Sequence, residues 1–146
     1  MSASEKRLAA RHLRIGWWSL ALFIVLGAAL EALHAIKAPF YLDAGRETTR
    51  LLLRLAHAHG TGLSIVNIVY GLTAQARPRT ATHFASASLL TALVLLPVGF
   101  FAGGLGAFRG DPGLGVLLVP AGALALLAGV VAIARRIGDP TSEEES

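Results

Sequence analysis

The sequence predicts an all-α integral membrane protein, an up-down bundle of four spanning helices forming one transmembrane domain over residues 1–146. Three observations predict it. First, 54% of the residues are hydrophobic and only 15% are charged, with a mean hydropathy of +0.61. An ordinary soluble domain is about 45–50% apolar and about 25% charged. A soluble chain of this size could not hide so much apolar surface, and a disordered chain is poor in it, so both classes are excluded. Second, four stretches reach the roughly 20 predominantly apolar residues that a spanning helix needs. Third, the connections between them are short, which makes neighbouring spans antiparallel.

The first span runs from about Ile15 to Leu33, with Trp17 and Trp18 as interface anchors at its inner boundary. A cleavable leader is the competing reading, but the apolar stretch is too long for a leader core and continues into Glu31 and His34. Phe40 and Tyr41 read as anchors on the other side. Asp43 to Glu47 turns the chain into the second span, about Leu51 to Leu72, where Asn67 and Tyr70 are placed to bond across helices. The third span, about Phe84 to Leu105, and the fourth, about Leu114 to Ala134, hold no ionisable residue. They are rich in Gly and Ala, including Gly99, Gly103, Gly104, Gly122 and Gly129, and Pro97 and Pro120 can bend them. Small residues let helices approach closely in lipid, so this pair reads as a scaffold or an oligomer surface, and a homo-oligomer or a membrane-complex partner is expected. The tail 139–146, with Glu143, Glu144 and Glu145 in a row, reads as a frayed, solvated end.

Basic residues set the orientation. Lys6, Arg7, Arg11, Arg14, Arg77, Arg79, Arg135 and Arg136 fall on one side, and Lys37, Arg46, Arg50, Arg54 and Arg109 on the other. Eight against five places both termini in the cytoplasm, with a bacterial inner membrane as the expected location.

The first two spans carry the chemistry. Counting away from their connection puts Glu31 within a turn or two of the depth of His57 and His59. Ionisable residues in a membrane are costly and mark function by default. Glu31 and His34 are three apart and share a face, a spacing that recurs in metal-binding bundles, where two such motifs cooperate. His57 and His59 are two apart, about 200° around a regular helix, and so face opposite ways. Gly60 and Gly62 leave room for a flat ligand or a close helix. Arg50 and Arg54, one turn apart, could clamp carboxylates such as haem propionates or Glu31 itself, or could simply reach for the surface. The plain alternative is that the histidines bond backbone carbonyls and hold no ligand. His12 and His83 read as interfacial residues on the cytoplasmic side, outside this cluster.

The stretch Arg50 to Gly62, Arg-Leu-Leu-Leu-Arg-Leu-Ala-His-Ala-His-Gly-Thr-Gly, resembles the second helix of haem–copper oxidase subunit I and its nitric oxide reductase relatives. The resemblance implies that His59, followed by Gly60, is an axial ligand of haem b, with His57 the next candidate. The second ligand would be His34, His57 or the His59 of another subunit. The family's copper ligands come from later spans with no counterpart here, so oxygen chemistry is not implied.

The expected function is therefore a small membrane protein that binds haem b, or a metal ion, near the outer face, for electron transfer or sensing. The alternatives are a copper or zinc site from Glu31, His34, His57 and His59, or a structural or assembly subunit of a larger membrane complex. Binding is favoured over catalysis. The absence of cysteine removes disulfides and thiolate sites. No phosphate-binding loop, nucleophile triad or nucleic-acid surface is present.

Overall fold

The computed structural model describes residues 1–137, so the tail expected to fray over 139–146 lies outside the described residues. The chain forms α1 (Ala3–Ala35), the single-turn α2 (Pro39–Leu42), α3 (Glu47–Ala76), α4 (His83–Leu105) and α5 (Leu118–Ile137). Among the described residues there is no strand. Three helical segments, Ala3–Ala35, His83–Leu105 and Leu114–Ile137, are long and apolar enough to cross a membrane. The 30-residue α3 is long enough, but its first half holds Glu47, Arg50, Arg54, His57 and His59.

The helix ends follow from local chemistry. α1 begins well before the expected Ile15, on a capping box in which Ser2 and Glu5 satisfy each other's backbone N–H groups. Its first turns bury Leu8, His12 and Gly16, a four-residue spacing that keeps one face against α3. At the start of α3, Asp43 accepts from the Gly45 N–H at 3.2 Å, so the expected turn over Asp43 to Glu47 forms. The α4–α5 connection reverses at Arg109 and Gly110, whose φ values of 51° and 89° suit a tight two-residue turn closed by Phe108 and Asp111. Pro120 falls in the first turn of α5, just after a 3-10 turn over Leu114–Leu117, a position where proline is well tolerated.

The long helices alternate in direction. Gly16 meets Ile68 while Gly27 meets His57, and Gly99 meets Val119 while Gly129 meets Leu89, so numbering rises on one helix as it falls on the next. This puts the N-terminus, the α3–α4 connection and Ile137 at one end, here the terminal end. The α1–α3 and α4–α5 connections lie at the other, the loop end, where the Thr48 hydroxyl donates to the Gly110 carbonyl at 2.8 Å and ties them together.

The arrangement differs from a closed bundle. α1 packs on α3, α3 on α4 and α4 on α5, while α1 barely meets α4 and makes no extended contact with α5. The helices form an open row. Glycine governs its spacing. Phe23 of α1 seats on Gly60, His57 of α3 seats on Gly27, and Leu13 lies against Gly71. Gly99, Gly122 and Gly129 face side chains across the α4–α5 contact, Gly103 faces Val116 in the 3-10 turn that leads into α5, and Gly104 faces Leu52 of α3. Of the two roles expected for these glycines, scaffold or oligomer surface, their contacts within the chain fit the scaffold, because close helix approach is what the α4–α5 pair itself requires.

Candidate functional site

The register that seats His57 on Gly27 also brings Glu31, one turn further along α1, beside Arg54, one turn earlier on α3. These three side chains line an open cleft of about 310 Å³ near the loop end, together with Ile24, Gly27, Ala28 and Leu30. The half-buried His57 ring is fixed by a 2.8 Å hydrogen bond between Nδ1 and the Phe23 carbonyl. A carbonyl can only accept, so Nδ1–H donates and α3 is pinned to α1. In the neutral ring Nε2 then carries the lone pair, and it has no hydrogen-bond partner among the described residues. This is the arrangement by which ligating histidines are usually held, one nitrogen on a backbone carbonyl and the other free. Glu31 and Arg54 are both exposed, and no ion pair joins them among the described residues.

The other expected site residues lie elsewhere. His59 faces away from the cleft, as its spacing from His57 requires. Its Nδ1–H donates to the Leu55 carbonyl at 2.9 Å, and its ring rests on Phe100 with centroids 4.7 Å apart. It lines a separate groove with Ala58, Gly62, Leu63, Val66 and Leu126. His34 is exposed on the last turn of α1 and is not part of the cleft. Arg50 is engaged in the connection: its guanidinium donates to the carbonyls of Tyr41 at 3.0 Å and Asp43 at 2.7 Å, and lies 3.9 Å from Glu47. Among the described residues, no group of three or more His, Asp or Glu side chains is set to hold a metal ion. The room expected beside Gly60 is filled by the Phe23 ring, while the space beside Gly62 is open. A haem iron or metal ion could therefore meet either His57 or His59 of one chain, not both, and a flat ring has no slot between α1 and α3 at Gly60.

Two residues read as interfacial are buried instead. His12 is completely buried. Its Nδ1–H donates to Asn67 Oδ1 at 2.7 Å, while Asn67 Nδ2 donates to the Leu63 carbonyl at 2.8 Å. Nε2 lies 2.8 Å from Ser86 Oγ, and the Tyr70 ring stands edge-on 4.6 Å away. The neutral ring satisfies both bonds, donating to one and accepting from the serine hydroxyl. Three helices are thereby joined near the terminal end. The signal was available in the register, since His12 falls level with Asn67 and Tyr70, which were expected to bond across helices. Tyr41 is the other buried residue of the two. It is buried against Leu30, Ala38 and Leu53 rather than anchored at an interface, because Pro39 opens a helical turn that folds it under α1. Phe40 and His83 are exposed as expected.

No protein-family model, curated protein or solved structure matches the chain. The likeness to the oxidase helix therefore stands on the quoted residues alone.

Proposed function

We propose that this chain crosses the membrane four times, α3 included, and acts by holding a ligand in the Glu31–Arg54–His57 cleft at one membrane boundary. The observation that carries the reading is the free Nε2 of a fixed imidazole in a cleft that a carboxylate and a guanidinium also line. Membrane burial of α3 is supported by where its polar groups go. Ser64 and Asn67 are fully buried, with side chains bonded to the Gly60 and Leu63 carbonyls. Its exposed positions from Ala58 to Leu72 are Ala58, Gly62, Ile65, Val69 and Leu72, none of them polar. Polar inside and apolar outside is what a spanning helix in the interior of a row needs. The split of basic residues supports cytoplasmic termini, which puts the cleft on the outer side.

For haem b, His57 replaces His59 as the axial ligand in the cleft, and a second copy would supply the other. For copper or zinc, Glu31 and His57 supply two donors and the remainder come from outside the chain. Either form would suit electron transfer or sensing. Absorption spectra and elemental analysis of protein purified from membranes test this. A Soret band, or stoichiometric metal, that is lost in His57→Ala and kept in His59→Ala supports it. A bound cofactor kept in His57→Ala removes it.

A second reading, a contact subunit of a larger membrane complex, is favoured by the ties that His12 and His57 make within the chain. On that reading His57→Ala lowers stability and removes no ligand.

A further inference from the structure

The cleft contains more than a ligating nitrogen would use. Coordination of a metal or haem iron needs Nε2, and Glu31 at most besides. It leaves the Arg54 guanidinium, which lines the same cleft as Glu31 and makes no ion pair with it, without a role. Both groups are exposed on the protein, and at a membrane boundary, where the reading above puts them, charged groups that are not paired with each other favour a ligand of complementary charge. Here the complement is a cation beside Glu31 and an anion beside Arg54, on one small molecule. Toward the middle of α1 the walls are Ile24, Gly27 and Ala28, so the cleft is ionic nearer the loop end and apolar further in. It is open at the side that faces the bilayer under the reading above.

We propose, resting on that reading, that the cleft seats the headgroup of an amine-bearing zwitterionic phospholipid. The phosphate pairs with Arg54, whose planar fork suits phosphate oxygens. The primary ammonium donates to the Glu31 carboxylate and to the lone pair on His57 Nε2. The acyl chains lie along Ile24 and Ala28. All three polar groups are then used, each in the role its chemistry allows. A quaternary ammonium has no N–H to donate, and an anionic headgroup without an amine would set its charge against Glu31. Phosphatidylethanolamine is thus preferred over phosphatidylcholine and phosphatidylglycerol.

The test is native mass spectrometry of the detergent-solubilised full chain offered equimolar phosphatidylethanolamine, phosphatidylcholine and phosphatidylglycerol with identical acyl chains. The expected result is retention of phosphatidylethanolamine by roughly five- to tenfold over the others, the scale of one charge-assisted hydrogen bond in a partly dry site. Glu31→Gln should erase the preference over phosphatidylglycerol, and Arg54→Gln should lower retention of all three lipids. Both side chains are exposed, so the fold tolerates these changes, and circular dichroism checks it. Equal retention of the three lipids, or an unchanged preference in Glu31→Gln, overturns the proposal. So does displacement of the lipid by an equal concentration of soluble O-phosphoethanolamine, which would make the ligand a free metabolite. A wild type that carries haem or metal on His57 yet shows no lipid preference overturns this inference alone. A wild type with neither cofactor nor lipid preference removes the cleft as a ligand site altogether.

Discussion

His57 and His12 are held by hydrogen bonds to neighbouring helices, yet they leave different atoms over. His12 has both ring nitrogens engaged and no exposure, so its role is to join α1, α3 and α4. Replacing it with Ala leaves Asn67 Oδ1 and Ser86 Oγ without their partner and opens a cavity. The expected loss is about 2–4 kcal/mol of stability, read by thermal unfolding in detergent, with no change for His83→Ala. His57 has one nitrogen engaged and one free. Its position depends on Gly27, where an added Cβ would lie 2.8 Å from Nδ1 and force the ring away. Gly27→Ala should cost about 1–3 kcal/mol and loosen the cleft. Gly62→Ala meets nothing within 4 Å, so it should be neutral or stabilise by about 0.5–1 kcal/mol through helix propensity. Equal destabilisation by the two glycine changes would contradict the packing described. The opposed facing of His57 and His59 was legible in the sequence, because two residues on a helix differ by more than half a turn. That Phe23 rather than a ligand fills the space beside Gly60 was not, since a glycine shows that something comes close without showing what.

Helix existence was legible wherever hydropathy alone decides it, as in α4 and α5. The start of α1 was hidden because Lys6, Arg7, Arg11 and Arg14 lower its hydropathy, although Leu8, His12 and Gly16 already share a face. Hydropathy sees a membrane core; the capping box and the four-residue spacing see a helix. The same distinction explains α3, where Glu47, Arg50 and Arg54 near the loop end reduce the mean hydropathy while Ser64 and Asn67 turn into the interior of the row. In α4 and α5 the small residues were legible as contact points, but sequence alone does not say whether the contact is with another copy or with the next helix. Gly103 lies against Val116, just before α5, and Gly129 against Leu89, so both make their close contacts within the chain. Gly103→Leu and Gly129→Leu should each lower the unfolding temperature in detergent without altering native mass. An altered mass with an unchanged unfolding temperature would return these glycines to an oligomer face.

As a whole the molecule is a row with α3 and α4 inside and α1 and α5 outside, the two outer helices presenting Leu22, Ile24, Val25, Leu124 and Leu127 to their surroundings. Alternating direction was legible from the short connections. The open arrangement was not, because closing a bundle depends on whether α1 reaches α5, and nothing in the local pattern of either helix specifies that. Glu31 and His57 were legible as neighbours by counting from the connection, whereas His34 was drawn in by its spacing from Glu31 although it lies outside the cleft. The placement of the cleft at a membrane boundary depends on one element, α3. The chain has no cysteine, so single-cysteine variants Gly45→Cys and Ala76→Cys can be labelled without background in sealed vesicles and then in opened ones. If α3 crosses the bilayer, a membrane-impermeant maleimide reaches the two positions from opposite sides. If both positions label from the same side, only α1, α4 and α5 cross, α3 lies outside the bilayer, and the account of the site at its boundary is contradicted.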